Sequence, residues 1–305
     1  HLVLRFVMKL TNKNNFVKSV LITGVNGLLG SHVANLLVRN GFKVFGTNRP
    51  GSKPQISNVE LIELDLSSNW SPDILPQKID LVLHFAQSQQ FRNFPDGAND
   101  VFSVNVVSTQ KLLEYARNSS VKHFIYTSTG GLYRNEKSQL NENSPINCVS
   151  KLGCYLGSKM CGEILTQNYS SFFYTSIIRP FFIYGRGQNR SMLIPRLYDK
   201  VKNSEQILLE GRDGLTINPI HVLDAAKTVL ELILNPQSIT FNMAGPQKIS
   251  IREIADVVAN YLGETAQYDF VEREPHDLIA DISLMQKRFY KPKLLFANSL
   301  SDVRQ

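Results

Sequence analysis

Short apolar runs rich in β-branched residues recur through the first part of the chain. They cover Val20–Thr23, Lys43–Thr47, Val59–Leu64, Leu81–Phe85, His123–Thr127 and Thr175–Arg179. The first extends back to Phe16 as a buried strand, FVKSVLIT. Between most of these runs, apolar residues fall at helical spacing, over Leu28–Arg39, Val104–Asn118 and Gly153–Asn168. Strands alternating with helices predict an α/β chain with a doubly wound parallel sheet. Ligands of such sheets bind beyond the C-terminal strand ends. After Arg179 the pattern is punctuated by Pro180, Gly185, Gly187, Pro195, Gly211, Gly214 and Pro219. Helical spacing returns over Met192–Asn203, Val222–Leu234 and Ile251–Leu262. This predicts a smaller lobe, interleaved with the last strands of the main sheet.

The turn after the first strand is Gly24-Val-Asn-Gly27-Leu-Leu-Gly30. Gly24 permits the tight turn, Gly27 lets the backbone approach a pyrophosphate, and Gly30 lets helix and strand pack closely. A phosphate would lie at the N-terminus of the Leu28 helix, where free N–H groups and the helix dipole favour an anion. The spacing is GxxGxxG, and strand–turn–helix context points to nucleotide binding rather than an ordinary turn.

Tyr155 and Lys159 lie four apart on one helix face. A free tyrosine, with a pKa of ~10, is a poor base at neutral pH. A nearby ammonium and the positive ring of an oxidised nicotinamide both favour the phenolate. Thr129 follows the fifth strand and offers a hydroxyl to a reacting oxygen. Thr129, Tyr155 and Lys159 are therefore the candidate catalytic residues.

Composition narrows the partners. The 305 residues suffice for one large α/β domain or two joined lobes. The formal charge is +7, yet Lys and Arg are dispersed without a basic run. That suits an anionic small molecule better than nucleic acid. No apolar run reaches the ~20 residues of a membrane helix. Cys148, Cys154 and Cys161 lack metal spacing, and the six histidines are scattered. The expectation is a reduced, cytoplasmic protein without disulfides, zinc or other metal, not bound to membranes or nucleic acid. Residues 1–16 are read as upstream or foreign sequence, or a frayed extension.

In order along the chain, TGVNGLLG (Thr23–Gly30), Leu64-Asp65-Leu66, DLVLHFA (Asp80–Ala86), Asn105 in VNVVSTQKLLEYA, TSTGGLY (Thr127–Tyr133), Tyr155 with Lys159, RPFFIYGRGQ (Arg179–Gln188) and PIHVLDAA (Pro219–Ala226) resemble the motifs of extended short-chain dehydrogenases/reductases of the NAD-dependent epimerase/dehydratase type. The resemblance implies a Rossmann-type dinucleotide-binding domain over 17–180 and a mainly substrate-binding lobe over 181–305. It implies a cofactor site made of Gly24, Asn26, Gly27, Leu28, Leu29, Gly30, Asn48, Arg49, Asp65, Leu66, Phe85, Ala86, Gln87, Thr127, Tyr155, Lys159, Pro180 and Ile183. Lys159 would lower the tyrosine pKa and hold the nicotinamide ribose. It implies a sugar nucleotide as substrate, with Tyr133, Arg186, Gln188 and Arg212 as candidate contacts. Arg190 lies on the same candidate loop. It also implies a homodimer through the Val104 and Gly153 helices.

Departures from the pattern carry information. Gln87 replaces the second Ala of HxAA. Asn48-Arg49 stands where many NAD-using members have Asp-Arg. Asn removes a charge that repels a 2′-phosphate and Arg49 can pair with it, which favours NADP over NAD. Gly130 and Gly131 stand where 4,6-dehydratases carry Asp-Glu. Glycine can neither give nor take a proton, which argues against dehydration. His84 and His221 are read as packed histidines, Asp224 as a helix cap, and Tyr184-Gly185 as a turn near the cofactor. The reading is an NAD(P)-dependent epimerase or ketoreductase acting at a carbinol carbon. Reduction of another small carbonyl compound, or non-catalytic dinucleotide sensing, stands as the alternative.

Overall fold

The computed structural model describes residues 19–52, 56–134, 139–149 and 152–304. The expected N-terminal extension, and the Phe16–Lys18 start of the first strand, lie outside the described residues. The main sheet contains β1 (Ser19–Thr23), β2 (Lys43–Asn48), β3 (Val59–Glu63), β4 (Leu81–His84), β5 (His123–Thr127), β6 (Tyr174–Pro180) and β11 (Ile239–Met243). Their order is β3-β2-β1-β4-β5-β6-β11, all parallel. The chain order reverses at the β1–β4 boundary, so a crevice opens there beyond the C-terminal strand ends. Register brings those ends level: Thr23 pairs with Thr47 and with His84, and His84 with Tyr126.

Alternation along β1 explains the two layers. Val20 and Ile22 face a core with Leu29, Val33, Ala34 and Leu37 of α1 (Leu28–Arg39). Leu21 faces the opposite core, with Leu112, Leu113 and Ala116. The helix on that side begins earlier than the apolar spacing indicates. It runs as α2 (Ala98–Phe102), a π-helical turn (Ser103–Val107) and α3 (Ser108–Asn118). The π turn buries Asn105, a polar residue that an apolar pattern cannot reveal. Helix α4 (Gly153–Asn168) packs on the same layer.

The second lobe has its own core. It is formed by α5 (Leu193–Lys202), α7 (Ile251–Leu262) and the C-terminal residues Phe296, Leu300 and Val303. Short strand pairs connect it: β7 (Ile183–Tyr184) with β10 (Ile220–His221), β9 (Thr216–Ile217) with β12 (Ile249–Ser250), and β8 (Gln206–Glu210) with β13 (Gln267–Val271). Helix α6 (Val222–Leu234) returns to the main sheet beside α1. The side chain that caps α6 is His221, accepting from the Leu223 N–H, rather than Asp224. Asp224 lies buried inside the helix and accepts from the N–H groups of Lys293 and Leu294 at 2.7 and 2.8 Å, and from the Tyr290 hydroxyl. It fastens the C-terminal segment to the sheet layer.

One buried ion pair fastens α4 to the sheet. Arg179 on β6 donates from Nε and Nη2 to the two oxygens of Glu163, at 2.8 and 2.6 Å. Its Nη1 donates to the Tyr133 hydroxyl, which donates to Asn242 Oδ1 on β11. Both charges are nearly inaccessible, at 5 and 1 % exposure. Glu163→Ala strands the buried guanidinium, so unfolding free energy should fall by about 3–5 kcal/mol in urea denaturation. A loss under about 1 kcal/mol, the range of a surface pair, would overturn this anchoring role.

Candidate active site

The glycine turn forms the floor at the end of β1. Gly24 has φ +71°, and a Cβ there would stand 2.9 Å from the Ala86 Cα at the end of β4. A Cβ on Gly30 would stand 2.3 Å from the Gly24 carbonyl oxygen. The two positions thus require glycine for different reasons, backbone conformation and helix–strand approach. Gly27 caps α1 with extended backbone, no side-chain cap and no acid in the first turn. The first N–H groups of α1, on Leu28, Leu29 and Gly30, have no acceptor within the helix. An anion fits that end.

Unpartnered buried oxygens lie along the same strand ends. Asn26 Oδ1, Asn48 Oδ1, Thr127 Oγ1 and Ser128 Oγ have no hydrogen-bond partner among the described residues. Buried acceptors and hydroxyls normally find partners, so this row fits a polar ligand with ribose hydroxyls and phosphates. The Asn48 amide donates to Ser52 Oγ at 2.8 Å and shapes the 49–52 turn, leaving Oδ1 free. Arg49 is exposed and donates to Gln89 Oε1 at 3.0 Å. Asp65 accepts from the Ser67 hydroxyl and N–H, and these bonds hold its carboxyl below the usual range. Leu66 is buried, its carbonyl accepting from Ser108 Oγ at 2.6 Å.

His84 terminates β4 inside a directed hydrogen-bond chain. The Thr109 hydroxyl donates to the Asn105 carbonyl, so it accepts from His84 Nε2–H at 2.9 Å. His84 Nδ1 is then an acceptor for the Thr23 hydroxyl at 2.7 Å, and Thr23 accepts from the Ala86 N–H. Burial, with the nearby Lys159 charge, pushes His84 down to about 3. It is a neutral structural residue. Asn105 accepts from the Ser88 N–H and donates to Ser158, linking the β4 loop to α4.

Tyr155, Lys159 and Glu163 follow one another at four-residue spacing on α4. Thr129 lies beyond β5 and accepts from the Gly131 N–H at 3.1 Å. Its proton is thereby free for the Tyr155 oxygen, whose phenolate it favours. The Tyr155 hydroxyl donates to Gln87 Oε1 at 3.1 Å. The ring is 9 % exposed and lies 5.2 Å from that of Phe91. Burial pushes the phenol up to about 12, against the hydrogen bond from Thr129 and the positive field of Arg92. This differs from the expected Lys159-driven lowering. Lys159 is 1 % exposed, donates to the Thr127 carbonyl at 2.6 Å and is drawn down to about 7 by burial, opposed by Glu163. Desolvation of both groups exceeds the attraction that their sequence spacing suggests.

The remaining expected residues divide. Phe85, Ala86, Pro180 and Ile183 are half-buried at or just beyond the ends of β4 and β6. Tyr133, expected against substrate, is turned into the core with its hydroxyl committed to Arg179 and Asn242. Arg190 is held by Asp199 and the Val303 carbonyl. Gln188 donates to the Ile183 carbonyl at 2.8 Å, with Oε1 unpartnered. Arg186 and Arg212 are exposed. Tyr184 is buried, its hydroxyl paired with Ser299. Ser128, Phe91 and Arg92 belong to the site without having been singled out. The TSTGG stretch contains Ser128, whereas nothing in the local pattern marks Phe91 or Arg92. Among the described residues no three His, Cys, Asp or Glu side chains are grouped to hold a metal, and no helix is long and apolar enough to cross a membrane.

Parallel sheet, glycine turn and Tyr/Lys helix together define a dinucleotide-dependent short-chain dehydrogenase/reductase architecture. Residues 20–244 match the NAD dependent epimerase/dehydratase family, and the chain belongs to that enzyme family. It is 25 % identical over 302 residues to a putative UDP-glucose 4-epimerase of Methanocaldococcus jannaschii, covering 93 % of this chain and 96 % of that protein. It is 27 % identical to a dTDP-4-dehydro-6-deoxy-D-allose reductase of Streptomyces bikiniensis, over 81 and 82 % of the two chains. It is 26 % identical to a dTDP-D-glucose 4,6-dehydratase of Dictyostelium discoideum, over 82 and 64 %. The fold is shared with UDP-glucuronic acid 4-epimerase from Bacillus cereus, whose structure holds UDP-glucuronic acid and NAD, at TM-score 0.82 and 24 % identity over 93 and 97 % of the chains.

A lysine held near 7 when folded and at its ordinary value when unfolded binds fewer protons in the native state between those values. Stability from this group therefore rises with pH through that window and is lost as pH falls toward 7. Lys159→Met should be more stable than the wild type at pH 6, by roughly 1–4 kcal/mol, with the gap shrinking toward pH 10. Urea denaturation across that range reads the difference; a constant gap would show that Lys159 stays charged when buried.

Proposed function

We propose that this chain catalyses hydride transfer at a carbinol or keto carbon of a sugar nucleotide, with a nicotinamide dinucleotide as hydride carrier. The observation that carries the reading is the grouping of Thr129, its hydroxyl oxygen occupied by the Gly131 N–H, with buried Tyr155 one turn from Lys159, at the C-terminal edge of the sheet. Tyr155 takes the proton of the carbinol oxygen as the hydride leaves and returns it when the hydride comes back. Return to the opposite face of a transient ketone epimerises the carbon; net delivery to a ketone reduces it. Thr129 steadies the reacting oxygen. Lys159 would hold the nicotinamide ribose, and its charge together with that of an oxidised ring would draw the phenol down from the value set by burial.

The N-terminus of α1 would hold the pyrophosphate, with Asn26, Asn48 and Asp65 as acceptors for the adenosine half. The uncharged Asn48 and the exposed Arg49 favour NADP over NAD, and they support the reductase arm. Relatives named as an epimerase and as a reductase support a sugar nucleotide, with Arg186 and Arg212 as candidate partners of its diphosphate. The reading against dehydration rests on Gly130 and Gly131, which offer no acid or base, and is supported by the 2.4–2.6 Å that would separate a Cβ on Gly130 from the Phe181 ring. Exposed Phe102 and Val107 beside the start of α3, with Ile164 on α4, support a homodimer through these helices, which light scattering would detect.

Tyr155→Phe should reduce turnover of a UDP- or dTDP-sugar at least ~10²-fold while leaving dinucleotide affinity within a few-fold. Equal activity would remove Tyr155 from the chemistry, and activity absent from both proteins with dinucleotide still bound would favour a sensor. Identification of the nucleotide released on denaturation separates the cofactors. Arg49→Ala should weaken NADP about tenfold or more and NAD little; tightly held NAD near one per chain would overturn the NADP preference.

A further inference from the structure

The amide of Gln87 meets the one group on which the proposed chemistry turns. The main chain at Gly131 donates to Thr129, Thr129 is free to donate to Tyr155, and Tyr155 donates to Gln87 Oε1 at 3.1 Å. Each hydroxyl has one proton, so the direction of the run is set, and it ends on an oxygen that can only accept. An acceptor at that point stabilises the neutral phenol and opposes the phenolate. We propose that Gln87 is a positioning residue that keeps the Tyr155 proton on the phenol until a substrate oxygen takes the place of its amide oxygen. The inference rests on the reading of Tyr155 as the acid/base.

Gln87 is suited to that exchange. It is exposed at the loop that follows β4, so its side chain can leave without opening the core. The neighbouring Ser88 and Phe91 are fixed. Ser88 is bound to Asn105 and Asp100, and the Phe91 ring packs against Tyr155. The loop therefore holds its place while the amide turns.

Among the described residues, the charged and titratable groups around Tyr155 are few. Arg92 stands over Phe91 from the β4 loop, Tyr126 faces it from β5, Lys159 and Glu163 follow it on α4, and Cys148 packs beside it from the segment before α4. None of them changes when Gln87 does, so a shift between Gln87 variants reports the amide.

The test is the titration of Tyr155 in the full chain labelled with 13C at tyrosine Cζ. The resonance is identified by its loss in Tyr155→Phe. It is followed in the protein alone and with saturating NAD+ or NADP+. Gln87→Ala should lower the midpoint by about half a pH unit to one unit, and Gln87→Glu, which brings a negative charge to the phenol, should raise it by about one unit or more. The wild type should lie between them. Coincident midpoints, or a Gln87→Glu midpoint below that of the wild type, overturn the proposal. A purely structural effect of the substitutions would not place them on opposite sides of the wild type. Should neither dinucleotide bind, the oxidoreductase reading falls, while the order of midpoints in the protein alone still decides the role of Gln87.

Discussion

The Glu163–Arg179 ion pair holds in place the helix that carries Tyr155 and Lys159. Tyr155, Lys159 and Glu163 share a face of α4, so fixing the third fixes the first two. The pair is bidentate and buried, and its remaining donor is bound by Tyr133. Two charges taken from water are tolerated because nearly every lone pair and proton is matched. The same network reaches β11 through Asn242, so the position of the candidate catalytic tyrosine depends on a strand more than 80 residues away in sequence.

Hydrogen bonding at the strand ends differs between the floor and the crevice above it. Below the crevice, Thr23, His84, Thr109 and Asn105 satisfy one another with a single consistent assignment of protons. That arrangement keeps His84 neutral and the floor rigid. At the crevice itself, Asn26, Asn48, Thr127 and Ser128 retain unmatched oxygens. Of the six buried side-chain atoms without a hydrogen-bond partner among the described residues, these four gather where a polar ligand would supply one.

Tyr155 shows how competing electrostatic effects are decided by burial. The hydrogen bond from Thr129 and the field of Arg92 both favour the phenolate, yet loss of solvent outweighs them. Lys159 is drawn in the opposite direction by the same cause. On the proposed reading of Tyr155 as acid/base, a neutral phenol beside a partly discharged ammonium needs further positive charge, which an oxidised nicotinamide would bring.

Periodicity alone determined much of this protein. The β-branched runs marked β1 to β6, since a buried parallel strand requires an apolar stretch, and the helical spacing marked α1, α4, α5, α6 and α7. The glycine spacing marked the turn, because Gly24 and Gly30 answer to local geometry. The four-residue step marked Tyr155 and Lys159 as neighbours. Local pattern missed β11 as a named strand and the early start of the helix before α3, where a π turn shifts the register. It read Asp224 as a cap and left Tyr133 between the pocket and the core, whereas long-range partners at Tyr290, Lys293, Arg179 and Asn242 claim both. Only the tertiary structure decided which way the Tyr155 and Lys159 protonation equilibria move and which side chain receives the tyrosine proton. Those outcomes depend on burial and on contacts between distant segments, such as Tyr155 with Gln87, and no spacing within one segment carries that information.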